Sequence, residues 1–396
     1  MIWSKLVNSL SNRAPSPMYD GTPARARYDF AVAYPDPATI PLDDMIEGLA
    51  DALRIEGKDL AIYPHPKGYP PLREFVSEKL LRDRDINVTP EQIILTDGSS
   101  EPIHILTEIF VDPGDVVLVE DFVYPGTLRT LRRFRADIRG ITCDSMGMDP
   151  NSLEETIEKV NSEGKKTKLI YTIPTFQNPQ GWTMTVGRRE ALIEISQRQG
   201  IPILEDDCYV DLRYEGEKTP SIYSLDDSGS TMYVGSFSKI LAPGMRMGYV
   251  AADAEVIARA LAAKSGGGVN QFAALAIHKY ATSGLDEHVH HLVEIQTEKR
   301  DAMLSALGET FGSSGTWSRP QGSLYIWLQM AGGVDLEATT NEAFEAEVGY
   351  LPGPMFAPDG VSGKNFARLC YGYNTPEEIR EGIERLGKVL EQRGDL

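Results

Sequence analysis

Cysteine is nearly missing: Cys143, Cys208 and Cys370 are the only three in 396 residues, and no pair has C-x-x-C spacing. They build neither a disulfide framework nor a thiolate zinc cluster, which points to a reducing compartment, the cytoplasm by default. No run of about 18 apolar residues occurs, so no segment reads as a bilayer-spanning helix. Positive charge is the next shortage. Lys plus Arg number 39 against 58 Asp plus Glu, a formal net charge of −19. Surplus positive charge is what draws a polyanion, so the balance disfavours nucleic acid and an anionic membrane surface as main partners. A small anionic ligand stays admissible, since it needs only one local cationic pocket. Internal repeats and low-complexity tracts are also missing, which excludes solenoid and linker architectures. What remains is 41% hydrophobic and 24% charged, the composition of an ordinary globular chain with room for about two to three domains.

The first nineteen residues carry no acid, and Ile2, Trp3, Leu6, Val7 and Leu10 form a helical stripe there. Such a stripe reads as a transit-peptide-like segment or as an arm packed on a partner subunit, and we take the arm. Further on, helix-like and strand-like segments alternate. Apolar residues at helical spacing run from Asp43 to Ile55, and prolines open a second helix from Pro71 to Leu81. Amphipathic stretches at Thr127 to Phe134 and Arg188 to Arg198 separate short apolar runs. The runs are QIILTDG (92–98), VVLVED (116–121), KLIYTIP (168–174), IPILEDD (201–207), TMYVGSF (231–237) and GYVAA (248–252). Unbroken apolar strands alternating with helices predict an α/β fold, with a mostly parallel sheet buried on both faces and ligands at the carboxyl ends of its strands.

The character changes after about residue 286. A long charged helix (Glu287 to Leu307) is followed by a GSSG loop (312–315), a strand-like SLYIWLQM (323–330) and a terminal helix from Pro376 to Gln392. Pro376, Glu377 and Glu378 suit a helix start, since proline fits the first turn and acids face the positive end of the dipole. The predicted division is an arm with part of the small domain at 1–45, a large domain at 46–285, and a smaller α+β domain at 286–396.

The segment GSFSKILAPGMRMGYV (235–250) carries the clearest chemistry. Ser236 and Ser238 supply hydroxyls and Arg246 a bidentate guanidinium, together a cup for phosphate. Lys239, beside that cup, can form a Schiff base with an aldehyde that bears a phosphate. Taken alone, so short a motif also describes an exposed lysine in a polar turn. In TDGSSEPI (96–103), Gly98, Ser99 and Ser100 stand where a strand turns into a helix, and N–H groups at a helix N-terminus bind phosphate. QNPQGWT (177–183) is a turn sequence around Asn178, and EDDCY (205–209) ends an apolar strand with three acids. His288, His290 and His291 lie on an acid-flanked helix with no supporting cysteine or carboxylate pattern, so no metal is assigned.

With these motifs in register over nearly its whole length, the chain resembles fold-type I pyridoxal-phosphate enzymes of the class I/II aminotransferase family. It is most similar to the subgroup of kynurenine/2-aminoadipate aminotransferases. The resemblance implies a large domain with a seven-stranded-type sheet flanked by helices, a smaller α+β domain, and pyridoxal 5′-phosphate as cofactor. It makes Lys239 the lysine bonded to the cofactor and the later proton shuttle, and Asn178 a donor to the cofactor's O3′. Strand alternation does not choose between Asp206 and Asp207 for the pyridine nitrogen. The family's Asp-x-x-Tyr spacing selects Asp206, with Tyr209 as a second donor to O3′, and leaves Glu205 and Asp207 to a solvated strand end.

Gly98, Ser99, Ser100, Ser236, Ser238 and Arg246 then hold the phosphate, Ser100 standing where the family has glutamine. Tyr124, in DFVYPGT, matches the aromatic stacked on the ring, and Tyr63, in IYPHPKGYPPLREF, the tyrosine that reaches the other subunit's phosphate. The implied assembly is a homodimer with shared sites. Arg368, in NFARLCYG, matches the arginine that takes the substrate α-carboxylate. One departure stands out: Val32 and Ala33, in FAVAYPDP, replace a Gly-Gly that borders the substrate in the family. Arg25 and Arg27 are candidates to face an acidic substrate side chain. The implied activity is transfer of an α-amino group between an amino acid and a 2-oxo acid. The alternative is a cofactor-sharing enzyme of other outcome: β- or γ-elimination or replacement, oxidation, or cyclisation. A regulator carrying this fold behind a DNA-binding domain is disfavoured by the acidic charge and by an N-terminal arm too short for a basic helix-turn-helix.

Overall fold

The computed structural model describes residues 25–396, so the stripe between Ile2 and Leu10 lies outside the described residues. A seven-stranded sheet forms the centre of the larger part. Its strands in chain order are β1 (Ile93–Thr96), β2 (Val116–Glu120), β3 (Asp137–Ile141), β4 (Thr167–Thr172), β5 (Ile203–Asp206), β6 (Thr231–Ser236) and β7 (Gly248–Ala251). The spatial order is β1-β7-β6-β5-β4-β2-β3, and only β7 runs antiparallel to its neighbours. Six strands coincide with the apolar runs. The seventh, β3, was not among them: its sequence DIRGI is half charged or small, because it is an edge strand with a partly exposed face.

Helices cover both faces, as the unbroken apolar strands require. They include α1 (Leu42–Glu56), α2 (Pro70–Arg84), α3 (Ser100–Phe110), α4 (Pro125–Arg133), α5 (Pro150–Ser162), α6 (Val186–Gln199) and α7 (Ala254–Ala263). Along β2, Val117 and Val119 pack with α3 and α4 on one face, and Val116 and Leu118 with α5 and α6 on the other. Both sets are buried, which is why the run VVLV shows no alternation.

The charged helix is longer than its sequence pattern indicated. α8 (Gln271–Phe311) is one 41-residue helix that packs first on α1 and then on the terminal helix α9 (Pro376–Arg393). The division expected between residues 285 and 286 falls inside it. α9 opens with a capping box, Glu378 N–H donating to Thr375 Oγ1 at 3.2 Å and Thr375 N–H to Glu378 Oε2 at 2.9 Å. The C-terminal part adds an antiparallel four-stranded sheet: β8 (Gly315–Trp317), β9 (Tyr325–Met330), β10 (Leu351–Pro352) and β11 (Phe366–Cys370), in the order β8-β9-β11-β10. The N-terminal segment joins it. Tyr28 and Asp29 pair in parallel with Val348 and Gly349, and Tyr28 and Phe30 are fully buried against α8 and α9. Among the described residues no helix is long and apolar enough to cross a membrane.

Candidate active site

A cavity of about 150 Å³ lies at the carboxyl ends of β4, β5 and β6, between the large sheet and the small one. Its lining gathers Val32, Ala33, Ser99, Ser100, Tyr124, Asn178, Asp206, Tyr209, Ser236, Ser238, Lys239, Arg246 and Arg368. Residues separated by up to 336 positions in sequence thus share one wall, brought together by the crossover topology of the parallel sheet.

At one end, β1 turns into α3 through Gly98, whose φ of +69° suits glycine. A Cβ there would collide with the Arg246 guanidinium, Cζ lying 2.8 Å from its position. Arg246 Nη2 donates to Asp97 O at 2.7 Å, which holds the guanidinium against the opening turn of α3. No side chain caps that turn, and Ser99 and Ser100 line the same cavity as Arg246 and the Ser236 and Ser238 hydroxyls. Free N–H groups, two hydroxyls and a fixed arginine are the donor set an anion such as phosphate requires.

In the middle, Lys239 leaves the end of β6 and its Nζ donates to Ala33 O at 2.7 Å. Burial pushes its ammonium pKa down to about 8, so an appreciable fraction is free amine near neutral pH. Asp206 closes the floor. Tyr171 donates to its Oδ2 at 2.6 Å and the Cys208 thiol to its Oδ1 at 2.7 Å. Burial raises its pKa, and the two donors oppose that rise by favouring the carboxylate. Tyr209 is buried with its ring edge-on to Tyr325 at 5.2 Å.

At the other end, Arg368 on β11 donates through Nη1 to Asn178 Oδ1 at 2.9 Å and through Nη2 to Ala31 O at 2.7 Å. Among the described residues its buried Nε has no hydrogen-bond partner. The backbone from Ala31 to Ala33 therefore touches both Arg368 and Lys239, and Val32 and Ala33 border the cavity.

The expectation for the strand end is corrected. Glu205 and Asp207 are not solvated: they are 0% and 2% exposed. Arg84 Nη2 donates to Asp207 Oδ2 at 2.6 Å, and the Tyr233 hydroxyl to the same oxygen at 3.1 Å. Glu205 accepts from the N–H groups of Ile222 and Tyr223 at 2.9 and 2.8 Å, with Arg189 Nη1 at 3.6 Å. Arg84 is 123 positions from Asp207, and Arg189 sits on α6, the helix just before β5, so the fold is what reveals the two pairings.

Tyr63 stands apart. It is 99% exposed and lines a separate groove of about 760 Å³ with Ile62 and Phe272. Arg25 is tied to Asp29 at 2.9 Å and stacks 4.1 Å from the Tyr373 ring, while Arg27 lies 3.9 Å from Glu381; neither lines the cavity. His288 packs edge-on to Tyr280, and His291 lies 3.9 Å from Glu294. Among the described residues no three His, Cys, Asp or Glu side chains are grouped to hold a metal ion. Cys208 and Tyr171 were missed by the sequence motifs. Cys208 lay inside EDDCY, read only as a lone cysteine, and Tyr171 meets Asp206 across neighbouring strands, which no linear spacing encodes.

The model of the family described as aminotransferase class I and II matches residues 32–386. The aromatic-amino-acid aminotransferase 1 of Thermococcus litoralis is 35% identical over 90% of this chain and 86% of its own length. Among solved structures, the multiple-substrate aminotransferase of Thermococcus profundus is 30% identical with a TM-score of 0.91, covering 100% of this chain and 99% of that one. The α-aminoadipate aminotransferase of Thermus thermophilus, complexed with N-(5′-phosphopyridoxyl)-L-leucine, is 28% identical with a TM-score of 0.91, covering 99% of each chain.

Proposed function

The chain belongs to the class I and II aminotransferase family, whose members move an amino group between an amino acid and a 2-oxo acid, and from that premise we propose that it does so with pyridoxal 5′-phosphate in the cavity around Lys239. Bound there, the cofactor supplies the aldehyde that carries the amino group and the ring that delocalises charge. The first turn of α3, with Gly98, Ser99 and Ser100, takes the phosphate together with Ser236, Ser238 and Arg246. Asp206 would accept a hydrogen bond from the protonated ring nitrogen and keep the proton there, Asn178 and Tyr209 would donate to the ring hydroxyl, and Tyr124 would cover the ring face. Arg368 binds the substrate α-carboxylate with the help of its unpartnered Nε. Val32 and Ala33 border the substrate and narrow the space their glycine counterparts leave in the family.

The observation that carries this reading is Lys239. Its amine is buried, has its pKa lowered to about 8, and is placed between a carboxylate floor at Asp206 and a carboxylate-binding arginine at Arg368. A free amine there can condense with a carbonyl carbon, its oxygen leaving as water, and, once displaced by the substrate amine, can accept or return a proton at the substrate Cα. Lys239→Ala is expected to retain the fold by circular dichroism while losing turnover and the substrate-sensitive visible absorbance; retained turnover sinks the assignment. A screen of amino donors with 2-oxoglutarate, read by glutamate, then identifies the substrate. Ammonia or a substituted product without glutamate would instead support the elimination or replacement chemistry.

The homodimer belongs to the same proposal. Tyr63, Ile62 and Phe272 are 99%, 70% and 48% exposed in one groove, a concentration of apolar surface that a second copy would cover. Tyr63 then reaches the partner's phosphate site. Sedimentation that finds a fully active monomer at working concentration excludes this shared site. The three unpaired cysteines support the cytoplasm as the compartment.

A further inference from the structure

Cys208 has no role in the EDDCY motif that contains it, yet its thiol enters the cavity and its Sγ–H donates to Asp206 Oδ1 at 2.7 Å, while the Tyr171 hydroxyl donates to Oδ2 at 2.6 Å. Both carboxylate oxygens are therefore held by neutral donors, which fixes the plane of the group without cancelling its charge. We propose that Cys208 is a positioning residue: its thiol orients the Asp206 carboxylate and sets the proton affinity that Asp206 offers to the ring nitrogen of the bound cofactor. The proposal rests on the reading of Asp206 as that nitrogen's partner.

The surroundings of the thiol agree with a donor role. Burial, and then the charge of Asp206, push its pKa well above the usual thiol range, so the sulfur keeps its proton. A protonated thiol donates a hydrogen bond and is a poor nucleophile. The Ser99 hydroxyl also reaches it, and Lys239, Tyr124, Tyr209 and Tyr249 are the other titratable groups that face it. A donor on a carboxylate favours its ionised form and weakens it as a base. Removing the thiol leaves Oδ1 without that donor, so the carboxylate binds a proton more strongly and holds it closer. Serine at this position keeps a donor; alanine does not.

Coupling between two titrating groups is reciprocal, which supplies a test that needs no turnover. Cys208 is partly accessible from the cavity, so a small alkylating reagent can reach it in the cofactor-free protein. In cofactor-free Asp206→Asn, iodoacetamide at pH 8 should label Cys208, located by peptide mass, about tenfold faster than in the native protein, as loss of the neighbouring charge lowers the thiol pKa by about a unit. Equal labelling rates overturn the contact and the proposal with it, whatever Asp206 does to the cofactor. This arm uses no Cys208 variant, so it decides the matter even where such a variant fails to fold. In the loaded protein, Cys208→Ala should shift the pH midpoint of the cofactor's visible band by about half a unit to one unit, and Cys208→Ser should restore it. An unmoved midpoint in Cys208→Ala beside a moved one in Asp206→Asn overturns the positioning role alone. A midpoint unmoved in both variants overturns the ring-nitrogen reading on which the role rests.

Discussion

On one face of β5, Asp206 meets two neutral donors, Tyr171 and Cys208; on the other, Glu205 and Asp207 meet the arginines 189 and 84. All three carboxyls are buried within three consecutive residues. Alternation sends the middle one toward α3 and α4 and its neighbours toward α2 and α6. The difference lies in what each acid has left to offer. Asp207 is matched by a cation of the protein, and its charge serves to hold α2 against the sheet, as Lys79 of the same helix does through Asp211 at 2.6 Å. Among the described residues Asp206 has hydrogen bonds but no ion-pair partner, so its negative charge remains available to a cationic ligand. A buried acid with neither arginine nor ligand is seen in Glu120 at the end of β2. Thr172 Oγ1 and the Ile173 N–H both donate to its Oε1 at 2.7 Å, Oε2 has no partner, and burial raises its pKa to about 7.

The sharpest way to break the comparison is to remove Asp207. Asp207→Ala leaves Arg84 buried and uncompensated, with Arg213 as an unfavourable neighbour, and should lower unfolding stability by about 3–5 kcal/mol in chemical denaturation. The rate per folded molecule should change little. A next test is Asp206→Asn, which should slow the single-turnover amino-transfer half-reaction by roughly two to three decades, or about 3–4 kcal/mol, at nearly native stability. If the two variants exchange phenotypes, the assignment of the two faces is wrong and Tyr209 must be reconsidered with it.

Glu120 gives a pH signature. Its folded pKa lies above that of the unfolded chain, so the stability it contributes is complete below about pH 4.5 and is lost as pH rises through about 7. A shift of that size corresponds to about 3 kcal/mol, and Glu120→Gln should flatten that part of the stability–pH curve measured by urea unfolding. An unchanged curve would mean that Glu120 finds a compensating partner when ionised. The smallest effect is expected where both members of the ion pair are replaced. Arg84→Met with Asp207→Leu removes two buried charges together, and its stability should return to within about 1 kcal/mol of native. A double variant as unstable as Asp207→Ala would show that the pair's geometry, rather than its charge balance, holds α2.

Much of the architecture was legible in the chain before any coordinates. Six of the seven strands of the large sheet announce themselves as short unbroken apolar runs, because both faces are covered and every side chain is buried. The edge strand β3 did not, since one face meets solvent and DIRGI lacks that signature. α9 was marked by Pro376 and its acids, whereas the first turns of α8 were not, because Gln271 to Ser283 pack on α1 through a pattern too uniformly apolar to separate from a strand or loop. The cavity residues were found by motif, one segment at a time.

Sequence alone determined which residue types were available for the chemistry: a lysine after two serines, an arginine seven residues on, a glycine before a helix, acids at a strand end. Those local groupings follow from short-range geometry, where a turn or a cap needs particular residues within a few positions. Tertiary structure alone decided what each of them meets. The crossovers of a parallel sheet bring β4 beside β5, and so Tyr171 to Asp206, while α2 carries Arg84 to Asp207 from 123 positions away. Whether a buried carboxylate faces an arginine, a thiol or an open cavity is set by such long-range contacts, and that choice separates the acid that holds the fold together from the acid left free to bind a ligand.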